Sequence, residues 1–271
     1  MLAWNANHIR NPRRLGQHFL IDQSLLQRIV DHAALMRGET ILEIGAGTGN
    51  LTAVIQRHAS KVMAIEKDHR LATLLRQRFR HNNNVEVIEG DILKIALPTF
   101  DKVVATPPYN ISSKLIFLLL KKSITSMTMV LQREFAQRLV ADPRSANYGR
   151  LTVTVRHKAD TELLDFVSRK AFRPVPRVDS FIIRIVPKTQ IAAVNEGFLN
   201  QMLLYLFSQR RRILKGVLKH AMDTSTNEAL EDLVEPKDLL EKRIFQLTTP
   251  EFESLANCLY PQRKLFKPLN K

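Results

Sequence analysis

The 271 residues include one cysteine, Cys258, so no intrachain disulfide can form and the chain fits a reducing compartment such as the cytoplasm. Long apolar runs are missing too. The longest, Leu115 to Leu120, is far below the roughly 20 residues that span a bilayer, which excludes a helical membrane protein. The N-terminus lacks the apolar stretch of a secretory signal. One cysteine and scattered histidines give no metal-ligand spacing, so no metal is expected. No Ser-His-Asp spacing stands out, and no internal repeat or low-complexity segment is present. With 45% hydrophobic and 25% charged residues the chain has enough apolar material for a sizeable core, which excludes disorder.

Acidic residues are also scarce. Against 26 Asp and Glu stand 41 Lys and Arg, a net charge of +15 that points to a polyanionic partner. The excess is uneven: residues 190–271 hold 12 basic and 10 acidic residues, so the first 189 carry +13. The start of the chain, with Arg10, Arg13 and Arg14 and no acid before Gln17, reads as a basic arm that touches RNA rather than an organelle-targeting segment.

From Thr40 to Pro187 short β-rich runs alternate with helical stretches, as a parallel α/β sheet requires. Strands are expected at 41–44, 61–65, 85–89, 102–105 and 128–131, with helices at 24–36, 49–57, 69–80, 113–121 and 133–141. Two later runs, 151–157 and 180–186, are expected as an antiparallel hairpin at the sheet edge. After Pro187 only helices are expected, at 198–220, 227–233 and 250–259, which puts a domain boundary near 188.

Glu43-Ile-Gly-Ala-Gly-Thr-Gly-Asn50 follows the first strand directly. Its glycines allow a sharp turn and a close backbone approach to a ligand, with a helix start beside it. Glu66 ends the second strand and Asp91 follows the third. In a doubly wound sheet these ends open onto one crevice. There Glu66 can accept hydrogen bonds from vicinal ribose hydroxyls and Asp91 from an adenine amino group, which together fit an adenosine-bearing ligand. The fourth strand ends in Ala105-Thr-Pro-Pro-Tyr-Asn-Ile-Ser112. Two prolines stiffen this corner and remove two backbone donors. It suits the holding of a planar amine, with carbonyls accepting its hydrogens and Tyr109 stacking on the ring.

With these residues the sequence resembles the KsgA/Dim family of small-subunit ribosomal RNA adenine-N6,N6 dimethyltransferases. Its landmarks are Gly16-Gln-His-Phe-Leu-Ile-Asp22, the 41–52 glycine segment, Glu66, Gly90-Asp-Ile-Leu93 and Pro108-Tyr-Asn-Ile-Ser112. Leu131-Gln-Arg-Glu-Phe-Ala-Gln-Arg-Leu139, Tyr148-Gly-Arg-Leu151, Phe172-Arg-Pro-Val-Pro-Arg-Val-Asp-Ser180 and Phe207-Ser-Gln-Arg-Arg-Arg212 continue it. The glycine loop is common to many methyltransferases, whereas the last two segments are far narrower.

The resemblance implies a Rossmann-like class I methyltransferase sheet over residues 1–188 and a small C-terminal helical domain over 189–271. It implies S-adenosylmethionine as cofactor, held by Gln17, His18, Leu20, Gly45, Ala46, Gly47, Glu66, Lys67, Asp91, Ile92 and Thr106. The catalytic residues would be Thr106, Pro107, Tyr109 and Phe172, with the target base between Tyr109 and Phe172. The implied reaction is dimethylation of two adjacent adenosines in a hairpin loop near the 3′ end of small-subunit rRNA, in ribosome biogenesis. The partner would be that rRNA or the immature subunit, with no membrane and no need for a dimer.

Two positions depart from the family pattern. Thr106 and His18 stand where the family usually has Asn, and a Thr hydroxyl reaches less far than an amide. An assembly factor that binds rRNA and methylates little is therefore one alternative, and an Erm-like methyltransferase of large-subunit rRNA is another. The basic run Arg210, Arg211, Arg212 and Lys215 is expected on a helix as a clamp for RNA phosphates.

Overall fold

The computed structural model of the protein describes residues 18–222 and 227–266. The basic arm with Arg10, Arg13 and Arg14, and the expected cofactor residue Gln17, lie outside the described residues. No helix among those described is long and apolar enough to cross a membrane.

The first elements are β1 (Phe19–Leu20), α1 (Gln23–Ala33), β2 (Thr40–Ile44), α2 (Thr52–Ile55), β3 (Lys61–Glu66) and α3 (His69–Arg78). Then come β4 (Val85–Glu89), β5 (Lys102–Ala105), α4 (Ser112–Leu119), β6 (Ser126–Gln132), α5 (Arg133–Leu139) and α6 (Arg150–Lys158). The chain continues through β7 (Ala159–Val167), β8 (Phe172–Arg173) and β9 (Ser180–Pro187) into α7 (Glu196–Ser208), α8 (Leu214–Met222), α9 (Asn227–Leu233) and α10 (Thr249–Leu259).

Local chemistry explains where helices begin. Asp22 accepts a hydrogen bond from the Leu25 amide at the start of α1, and Asp68 from the Arg70 amide at the start of α3. The spacing of Leu25, Leu26, Ile29, Val30 and Ala33 gives α1 one apolar face, and all five are buried.

Seven strands form one sheet in the order β4-β3-β2-β5-β6-β9-β7. The pairs β4–β3, β3–β2, β2–β5 and β5–β6 are parallel, and β9 runs antiparallel to β6. From β2 the chain adds β3 and β4 on one side, then crosses back to add β5 and β6 on the other. The carboxyl ends of β2 and β5 thus flank a topological switch point, where open α/β sheets bind ligands. This is the Rossmann-like sheet that the family resemblance implies. The strand residues Ile41, Val62, Val104, Val130 and Ile182 are buried in one core together with the apolar face of α1.

The chain packs as two units, and the division is not the single cut near 188 expected from sequence. One runs to Ala136 and resumes over Thr161–Pro187; the other joins Gln137–Asp160 to the residues from Lys188 on. The cause is α6. Its sequence alternates β-branched residues and reads as a strand over 151–157, yet Thr152, Val153, Thr154, Val155 and His157 are all buried in a helix. Thr152 Oγ1 donates to the Arg138 carbonyl, and His157 Nδ1 lies 2.8 Å from Glu253 Oε1. Burial on several sides has overridden β propensity. The edge strand is β7 instead, whose charged and half-exposed residues gave little sign of it in the sequence.

Candidate active site

The loop after β2 is built on glycine for two reasons. Gly45 has φ +76°, and a Cβ there would sit 3.2 Å from the Thr106 carbonyl oxygen. Gly47 has φ +58°, and a Cβ there would come within 3.0 Å of the Phe19 ring. Only glycine lets this loop pass between β1 and the corner after β5. The helix expected over 49–57 is shorter, Thr52–Ile55, so the loop is held by side chains and neighbouring strands more than by a long helix.

Glu66, at the end of β3, is the chief holder. Its Oε2 accepts from the Gly47 amide at 2.9 Å and its Oε1 from the Asp68 amide at 2.8 Å. A carboxylate offers about four lone-pair sites, so each oxygen retains capacity for a ligand hydroxyl. Burial pushes this carboxyl above the usual range, and the amides of Asp68 and Gly47 oppose the rise. Asp91 is different. Lys67 Nζ lies 3.0 Å from its Oδ2, and the Leu93 amide donates to Oδ1 at 3.1 Å, which together hold its carboxyl below the ordinary value. Glu43 sits two residues before Gly45, fully buried, with Oε2 unpartnered; desolvation pushes its carboxyl up to about 8. Glu43 is therefore neutral at pH 7.

The corner after β5 places Thr106 and Pro107 against the glycine loop and turns Tyr109 inward at a short 3-10 turn, Tyr109–Ile111. Tyr109 Oη lies 2.8 Å from Ser180 Oγ, and burial raises its pKa, so the phenol stays protonated. The His18 ring stacks against the Tyr109 ring, with centroids 6.4 Å apart and planes 25° apart. His18 Nδ1 lies 2.8 Å from the Pro174 carbonyl oxygen. A second, two-stranded sheet pairs β1 with β8, setting Leu20 opposite Phe172 and Phe19 opposite Arg173.

These elements enclose a cavity of about 460 Å³, a size suited to a nucleoside-bearing ligand. Gly45, Gly47, Glu66, Lys67, Asp91 and Ile92 line it, as do His18, Thr106, Pro107, Tyr109 and Phe172. Carboxylates and glycines come from the ends of β2, β3 and β4, and the aromatic groups from the corner after β5, from β8, and from β1 with His18 before it. Two expected cofactor residues do not reach the cavity. Ala46 packs against Leu75 and Phe79, and the side chain of Leu20 is buried in the sheet core while its carbonyl accepts from Asn50 Nδ2 at 2.9 Å. Both sit one position off the lining, turned toward the core. Sequence reasoning missed Asn110 and Val130 on the wall and Ser180 behind Tyr109. Ser180 closes a recognisable motif, but nothing local shows that it meets a residue 71 positions away.

Of the basic run after α7, Arg210, Arg211 and Arg212 are not on a helix, whereas Lys215 is in α8. The expected helix over 198–220 breaks between Ser208 and Leu214, because the backbone there bonds to residues 242–245 instead. The Phe245 amide donates to the Arg210 carbonyl, the Ile244 amide to that of Arg212, and the Leu214 amide to that of Lys242. The Arg210 guanidinium donates to the carbonyls of Ser145 and Ala146 and lies over the Phe245 ring. Lys215 pairs with Glu231 and Glu241. Arg211 and Arg212 are exposed. Cys258 is half-buried, with Sγ 3.8 Å from the Glu235 carbonyl.

Comparison with known proteins agrees with this geometry. Residues 8–257 match the family model described as ribosomal RNA adenine dimethylase. The chain is 41% identical over 250 residues to a Methanosarcina mazei protein named "Probable ribosomal RNA small subunit methyltransferase A", covering 90% of this chain and 91% of that one. Among solved structures it is similar to a dimethyladenosine transferase from Plasmodium falciparum, with TM-score 0.82 and 30% identity over 92% of this chain and 99% of that one. It is also similar to the 23S rRNA methyltransferase ErmE, with TM-score 0.68 and 28% identity over 89% of this chain and 99% of that one. The chain belongs to the ribosomal RNA adenine dimethylase family.

Proposed function

We propose that the protein is an S-adenosylmethionine-dependent enzyme that dimethylates N6 of two adjacent adenosines in a hairpin loop near the 3′ end of small-subunit rRNA. The observation that carries this reading is the single cavity that brings Glu66 and Asp91 together with Thr106, Pro107, Tyr109 and Phe172. The M. mazei relative, named for the small subunit, is 41% identical, whereas the 23S enzyme ErmE is 28% identical, so the large-subunit alternative is not favoured.

The residues present suit the cofactor. Glu66 has unused acceptor sites for ribose hydroxyls, and Asp91, kept anionic by Lys67, can accept from an adenine amine. Gly45 and Gly47 leave room that a Cβ would fill. Bound there, the cofactor supplies a methyl group on a positively charged sulfonium. The rest of the chemistry is positioning. Tyr109 and Phe172 present aromatic faces to a base taken out of its stack. The Thr106 hydroxyl and the Pro107 carbonyl accept the two amine hydrogens, which draws the nitrogen toward tetrahedral geometry and localises its lone pair. Because the Thr hydroxyl is shorter than the amide of Asn, either slower methyl transfer or a shifted amine position is expected relative to Asn at position 106. Arg211 and Arg212 supply a phosphate contact from the C-terminal helical unit.

The test is mass analysis of small-subunit particles incubated with the protein and labelled cofactor. Dimethylated adenine is expected, and the absence of any methyl on adenine N6 would reject the reading.

A further inference from the structure

Phe172 lines the cavity, and the segment that carries it, from Ser168 to Val178, contains four cations and no acid. Arg169, Lys170, Arg173 and Arg177 are all exposed, and so are Val175 and Val178 between and beside them. In the two-residue strand β8 the side chains alternate, Phe172 buried toward the cavity and Arg173 exposed on the other side.

This segment is held in one shape. The Arg169 amide donates to Asp179 Oδ1 at 2.9 Å, and the Arg169 guanidinium to the Arg177 carbonyl at 3.2 Å, which ties the two ends together. Arg173 donates to the carbonyls of Lys170 and Phe172. The Ile21 amide donates to the Ala171 carbonyl, and His18 Nδ1 meets the Pro174 carbonyl oxygen. The nearest carboxylate in sequence, Asp179, is thus engaged by backbone, and the backbone that carries the four cations is held beside Phe172. The Lys170 and Arg177 side chains have no partner among the described residues. Elsewhere on the lining the balance differs, because Lys67 pairs with Asp91.

Four exposed cations with apolar side chains interleaved, beside a wall that stacks a base, suit a single RNA strand whose phosphates lie outside while one base points in. We propose that Arg169, Lys170, Arg173 and Arg177 form a phosphate-binding rim that holds the strand next to the target adenosine. The proposal rests on the dimethylase reading and names its RNA contact on the first unit, separate from Arg211 and Arg212 on the second.

The experiment measures affinity for a single-stranded rRNA hairpin loop against salt, beside a methyl-transfer assay on small-subunit particles. Lys170→Gln with Arg177→Gln removes two charges that bind nothing within the described protein, so the loop keeps its hydrogen bonds. Each lost phosphate contact lowers the slope of log K against log salt by about 0.7, so a drop of about 1.4 is expected. Lys121→Gln with Lys122→Gln is the control, since this exposed pair follows α4 and precedes the start of β6, at the opposite edge of the parallel strands. A wild-type slope in the first variant, or an equal drop in the control, overturns the rim. If either occurs while the wild type methylates adenine N6, only the rim fails. If the slope drops in the first variant alone and no methyl is transferred by the wild type, the rim stands and the dimethylase reading fails. No RNA binding by the wild type overturns both.

Discussion

The Tyr109 hydroxyl lies 2.8 Å from Ser180 Oγ, a bond between the corner after β5 and the first residue of β9. Ser180 is fully buried, so this anchor is screened from water. With the His18 ring stacked against the Tyr109 ring, it fixes the aromatic face on which a base would lie. Precision of this kind is what a stacking platform needs, because small misplacements of a reacting group cost large factors in rate.

Ser180→Ala removes the anchor and leaves the Tyr109 ring. A net hydrogen bond contributes about 0.5–1.5 kcal/mol, so kcat/KM for RNA is expected to fall roughly 2- to 13-fold while cofactor affinity holds. Tyr109→Phe breaks the same bond from the other side. The double variant should be no worse than the poorer single variant, and additive losses in a double-mutant cycle would show that the bond does not position the ring.

Gly45→Ala forces a side chain into the left-handed region and brings its Cβ to 3.2 Å from the Thr106 carbonyl. The strain alone is about 1–2 kcal/mol. Calorimetric titration with the demethylated cofactor should show affinity reduced tenfold or more. A melting curve separates loss of binding from loss of folding, and unchanged affinity in a folded variant would contradict the loop's role.

Glu43 links stability to pH. Its carboxyl is raised from 4.5 to about 8 by burial, so between those values the folded state keeps a proton that the unfolded chain has lost. Stability contributed by this group is full below about pH 4.5, declines as pH rises, and is gone above about 8. The range corresponds to a few kcal/mol. Glu43→Gln abolishes the titration, so the variant should gain stability relative to wild type from pH 5 to pH 8.5 in urea unfolding. A constant difference across that range would show that Glu43 is not a buried acid.

Tyr148 is a stability test for the second unit. Its hydroxyl donates to the Leu247 carbonyl at 2.7 Å, and its pKa is pushed up to about 12 by burial. Tyr148→Phe leaves that carbonyl unsatisfied, at a cost of about 1–3 kcal/mol in urea unfolding. A neutral result would mean that water reaches Leu247.

The parallel strands and the order of the site segments were readable because each is a local pattern: an apolar run, then glycines, an acid or a proline corner. The side chains of Ala46 and Leu20 turn away from the cavity because adjacent residues in a turn or strand face different ways, and a motif does not say which. The 151–157 run was misread because β-branched alternation is the same string whether it meets a sheet or a helical core; here α6 is buried among helices. The helix across Arg210–Arg212 failed for a related reason, since the backbone there found partners some 30 residues later.

By itself the sequence determined the α/β sheet, the chemical character of each strand end and the excess of positive charge, since all three follow from short-range composition and period. Only the tertiary structure decided that Tyr109 rests on Ser180, that Phe19 closes against Gly47, and that residues 137–160 pack with the chain's end. Those are meetings of groups far apart in sequence, chosen by which apolar surfaces and hydrogen-bonding groups can be buried together, and no local pattern records them.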